Sequence, residues 1–66
     1  MINEAVKREI YNIAVGLYLK GSSIKQISRY LHMKLTSFDK ELKITTVKDW
    51  VIKSIYDYEI KKKAIS

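Results

Sequence analysis

Residues 24–42, IKQISRYLHMKLTSFDKEL, constrain this chain more than any other stretch. Ile24, Ile27 and Leu31 sit three and four residues apart, which places them on one helical face. Leu35, Phe38 and Leu42 repeat the spacing, and only His32, Met33 and Lys34 separate the two sets. Two short amphipathic helices joined so tightly must cross steeply, so the pattern predicts a helix-turn-helix over 23–43. Ser28 falls on the inner side of the first helix. Its small side chain allows close approach, and its hydroxyl can bond back to a helix carbonyl. Such a turn usually needs one residue at positive φ, a place that falls to His32 or Met33 here. The plainer alternative is two ordinary helices of a small bundle.

The flanking sequence supplies further helices. Ile2, Val6, Ile10, Ile13 and Leu17 form one stripe, with Asn3 as its candidate cap and Glu4 at its positive end. Lys20-Gly21 then reads as a helix stop. Ser23-Ile24-Lys25-Gln26 is a capping box that starts the next helix. A third helix is expected over 35–43, where Phe38 should be core. A last one is expected over 46–62, with Val47, Trp50, Val51, Ile55 and Tyr58 inward and Trp50 as the largest core side chain. With no proline and two glycines, a β-sandwich or barrel lacks its turn residues. The expected fold is therefore all-α: one four-helix domain, 1–66, around a central helix-turn-helix.

The same inventory narrows the chemistry. There is no cysteine and one histidine, so neither a thiolate metal site nor a histidine-based triad is expected. The acidic residues show no catalytic or phosphate-loop spacing, so no enzyme activity, metal or other cofactor is expected. No apolar run approaches a membrane span, and MINEAVKRE does not look like a signal peptide; a cytoplasmic, nucleoid-associated protein without a membrane partner is expected.

The net charge is +6. It divides as +1 over residues 1–23, +3 over 24–43 and +2 over 44–66, so the proposed motif is the most basic part. A small basic helical domain most often meets nucleic acid. On this reading the partner is double-stranded DNA, and a homodimer is left open. Lys34 at the start of the expected third helix, and Thr36, Ser37 and Lys40 on its outer face, are the candidates for base edges. Ser22, Ser23, Lys25, Arg29, Lys43, Lys61, Lys62 and Lys63 are the candidates for phosphates. Lys61 to Lys63 also have a simpler role, as cations favoured at any helix C-terminus. Thr45-Thr46-Val47-Lys48-Asp49-Trp50 is a second stretch that could begin a groove-entering helix.

AVKREIYNIAVGLYLKG followed by SSIKQISRYLHMKLTSFDKEL resembles the sporulation stage III transcriptional regulator D family. The closing Phe38-Asp39-Lys40-Glu41-Leu42 is also similar to the end of the recognition helix in DeoR-type repressors. His32 stands where the sporulation family has glycine. The resemblance implies DNA binding through the helix-turn-helix, with Lys34, Thr36, Ser37 and Lys40 on the base-facing side. It maps Lys61 to Lys63 only loosely to a basic C-terminal extension. The expected function is sequence-specific DNA binding by a transcriptional regulator. The alternatives are an accessory factor for excision or replication of a mobile element, and a small protein–protein interaction module.

Overall fold

A computed structural model describes residues 4–65. Ile2 and Asn3, assigned above to a stripe and a cap, lie outside them. The described chain is all-α, in three helices rather than four: α1 (Glu4–Leu19), α2 (Ile24–Leu35) and α3 (Ile44–Ile65). Each helix packs on the other two.

The helix ends follow from local chemistry. Gly21 takes φ 98°, a backbone that only glycine adopts without strain. Its N–H donates to the Tyr18 carbonyl, and the Ser22 N–H donates to that of Leu17, both at 3.0 Å. This paired arrangement satisfies the last carbonyls of α1. Two residues on, Ser23 Oγ accepts the Gln26 N–H at 3.2 Å and Gln26 Oε1 accepts the Ser23 N–H at 3.0 Å. The predicted stop and the predicted capping box are both present.

The expected third helix is not. Residues 36–43 form successive turns, and α2 runs unbroken through His32, Met33 and Lys34. The reason lies in the spacing itself. Leu35 follows Leu31 by four, so it extends the first stripe by one more turn instead of starting a second. No residue of 32–34 has positive φ, and Gly21 alone among the described residues does. The helix ends just past Leu35 because the next side chains compete for its backbone. Thr36 Oγ1 donates to the Met33 carbonyl at 3.0 Å, and Ser37 Oγ to that of Lys34 at 2.7 Å. Asp39 Oδ1 accepts the Glu41 N–H at 3.1 Å, which closes a turn where a helix would have to pass.

His32 therefore has a role other than the one expected. It is an α2 residue whose Nε2–H donates to the Leu42 carbonyl at 2.9 Å, pinning the end of the loop to the helix. Phe38, expected in the core, is 88% exposed. Leu42 is half-buried against the core. The last helix also starts earlier and ends later than the expected 46–62.

The core is built from Ile10 and Ala14 of α1, Ile27 and Leu31 of α2, and Val47, Val51 and Ile55 of α3. Ser28 is buried among them and donates to the Ile24 carbonyl at 2.7 Å, so its hydroxyl is satisfied. Trp50 packs against this cluster from its edge and is only half-buried; the largest fully buried side chains are Ile27, Leu31, Val47 and Val51. Farther along, the Tyr18 hydroxyl donates to a Glu59 carboxylate oxygen at 2.8 Å, and the Tyr18 and Tyr58 rings meet edge to face at 6.5 Å. These contacts tie the end of α1 to the second half of α3.

Candidate nucleic-acid interface

The candidate site is built from the exposed basic flank of α2 and the start of α3, which the loop joins at His32. In α2, Lys25 and Arg29 are four residues apart on one exposed flank. His32 is three residues beyond Arg29, so it continues that flank and carries it to Leu42 through the ring–carbonyl bond. The chain then enters α3 within two residues. Lys43 occupies the N-cap of α3: its carbonyl accepts the Thr46 N–H at 3.1 Å and the Val47 N–H at 3.2 Å. A lysine side chain offers no acceptor to the remaining first-turn N–H groups, and it adds positive charge at the positive end of the helix dipole. Neither α2 nor α3 has an acidic residue in its first turn. Thr45 and Lys48 are exposed on the first turns of α3. An arrangement of this kind is suited to an anion with several separated charges.

The residues singled out from sequence divide into three groups. Ser22, Ser23, Lys25, Arg29 and Lys43 belong to the two helix starts. Ser23 is occupied as a cap, and the Ser22 N–H is used in closing α1. Lys34, Thr36, Ser37 and Lys40 lie at the end of α2 and in the loop, so they do not share the outer face of a recognition helix. The Lys34 ammonium stands 5.5 Å from the Tyr30 ring centroid, and the Thr36 and Ser37 hydroxyls donate to helix carbonyls. Lys61, Lys62 and Lys63 are at the far end of α3, about 26–29 Å along the helix from Ile44 at 1.5 Å per residue. Lys61 pairs with Asp57 at 3.1 Å and stands 5.4 Å from the Tyr11 ring centroid. The Asp57 hydrogen bond and charge raise its pKa above the ordinary lysine value. Sequence reasoning named Thr45 and Lys48 only within a second candidate stretch, because it expected a helix over 35–43, where the structure has a loop. The signal was the Thr45-Thr46 pair, which lies in the first turn of α3.

Compared with known protein families, curated proteins and solved structures, the chain matches none. No helix among the described residues is long and apolar enough to cross a membrane. No cluster of three or more metal-ligating side chains occurs among them either.

Proposed function

We propose that this chain binds double-stranded DNA and acts as a transcriptional regulator, with α3 rather than a helix at 35–43 entering the major groove. The observation that carries the reading is the pair of acid-free helix starts, with Lys25 and Arg29 on one and Lys43 and Lys48 on the other. Phosphates on one side of a groove are the partner such starts favour. Thr45 and Lys48 are then the side chains nearest base edges, where lysine donates to guanine and threonine serves either pattern. The resemblance of the chain to sporulation-type regulators supports the same reading through α1 and α2. Its Phe38–Leu42 portion does not contribute, since that segment is a loop here.

The test is titration of a labelled duplex at several salt concentrations. Binding should weaken steeply with salt, and Arg29→Ala and Lys43→Ala should each reduce the salt slope by about one. Lys48→Ala should cost about 1–3 kcal/mol on a selected site and less on random DNA. Lys34→Ala and Lys61→Ala should leave the slope nearly unchanged, because their ammonium groups already sit on Tyr30 and on Asp57 and Tyr11. Salt-independent binding, or losses confined to Lys34 and Lys61, would refute the assignment.

A further inference from the structure

α3 is apolar on two sides. Val47, Val51 and Ile55 are buried against α1 and α2. Ile52, Tyr56 and Ile60, spaced by four, are 42%, 68% and 48% exposed. At about 100° per residue, Tyr56 lies about 140° round the helix from Val51, so this second stripe faces away from the core.

We infer that the second stripe is a self-association surface, and that its occupant is the α3 of a second copy, antiparallel, with the two-fold axis at Tyr56. The argument is the symmetry of the sequence about that residue. Ile52 and Ile60 stand four residues to either side, and Asp49 and Lys63 seven to either side. Antiparallel pairing about Tyr56 sets Ile52 level with Ile60 of the second copy and Asp49 level with its Lys63. A parallel pairing instead sets Asp49 on Asp49 and Lys63 on Lys63, and like charges across an interface are costly. Self-complementary charge in one orientation only is what a two-fold interface requires.

The pairing also fixes a distance. Thr45 and its symmetry mate would be separated by 22 helical steps, about 33 Å at 1.5 Å per residue. Two-fold DNA-binding dimers place their reading elements one helical turn apart, about 34–36 Å. This consequence rests on the proposed DNA binding; the pairing itself does not.

The chain has no cysteine, which gives a clean background for cross-linking. Ile52→Cys and Ile60→Cys chains, mixed and mildly oxidised without DNA, should form the mixed 52–60 disulfide in preference to either homodimer. By sedimentation equilibrium the wild-type chain should show twice the chain mass as concentration rises. Tyr56→Glu should raise the dissociation constant at least about tenfold with helicity unchanged, since Tyr56 is exposed. Asp49→Lys should weaken the dimer, and adding Lys63→Asp should restore it. A monomer at every concentration up to about 100 µM, preferential 52–52 disulfides, or failure of the charge swap to restore association would overturn the inference. Capture of a different protein's helix by a monomeric chain would overturn it too. The DNA titration is read separately: a monomer that still binds DNA refutes only the pairing, and a dimer that ignores DNA refutes only the DNA reading.

Discussion

Phe38 and Leu31 test the corrected fold most sharply, because the sequence pattern treats them alike and the structure does not. Leu31 is 1% exposed at the centre of the core, and Phe38 is 88% exposed in the loop. Leu31→Ala removes buried methyl groups and leaves a cavity, at a cost of about 2–5 kcal/mol. A chain of 66 residues has a total stability of about 3–10 kcal/mol at the usual 0.05–0.15 kcal/mol per residue. The substitution therefore removes a large part of it, or all. Phe38→Ala takes away a ring already in water, so its effect should fall within about 0.5 kcal/mol. At about 4–8 °C per kcal/mol for a domain of this size, Leu31→Ala lowers Tm by at least about 8 °C. Phe38→Ala moves it by no more than about 4 °C. The assay is urea and thermal denaturation followed by far-ultraviolet circular dichroism, with the slope m checked for two-state behaviour. If Phe38→Ala lowers the urea midpoint as far as Leu31→Ala, residues 35–43 are helical and packed, and the loop assignment is wrong.

Gly21→Val should destabilise by about 1–2 kcal/mol in the same denaturation assay. Nothing lies within 4 Å of a Cβ there, so the cost is that of the left-handed backbone alone. His32→Gly should cost about 1–2.5 kcal/mol in that assay, from a lost hydrogen bond to Leu42 and a glycine inside α2. A gain in stability would mean that the ring–carbonyl bond does not hold the loop. The Glu59 hydrogen bond and charge raise the Tyr18 pKa above 10.0, so the folded state holds this proton more tightly than the unfolded chain. The resulting stability is fully present below pH 10 and is lost as pH rises through the raised value. Denaturation midpoints measured on both sides of pH 10 should show that fall in the wild type and less of it in Glu59→Gln.

The end of α1 and the start of α2 were legible in the sequence because they depend on residues a few positions apart. Gly21 needs only its own backbone freedom, and Ser23 and Gln26 need only each other. The segment 35–43 was misread because its apolar spacing is in phase with α2. Leu31, Leu35, Phe38 and Leu42 continue one 3.6-residue rhythm, and a rhythm says nothing about where the helix stops. The stop is set by Thr36, Ser37 and Asp39, whose side chains bond the nearby backbone instead of leaving it to a helix. Thr36 and Ser37 were noticed, but as contacts for DNA. The bond from His32 to Leu42 could not be read at all, since it spans ten residues and depends on how the loop returns.

The candidate site was legible in part for a related reason. Lys25 and Arg29 were chosen from charge along a helix whose start lies where it was expected, and Lys43 from charge at the end of a helix that is absent. Lys34, Thr36, Ser37 and Lys40 were chosen from the start and outer face of one particular helix, so they lost that common setting when that helix became a loop. In α3 the pattern was harder still. A helix with one buried face shows one stripe, but α3 carries Val47, Val51 and Ile55 on one side and Ile52, Tyr56 and Ile60 on the other. The two stripes blur each other's periodicity, and the reading kept only the one that could form a core. The second stripe is exposed. Charged and polar side chains are the usual occupants of an exposed helix face. Three large apolar residues at intervals of four, with Asp49 and Lys63 at equal distances beyond them, are instead a surface whose complement is its own reverse.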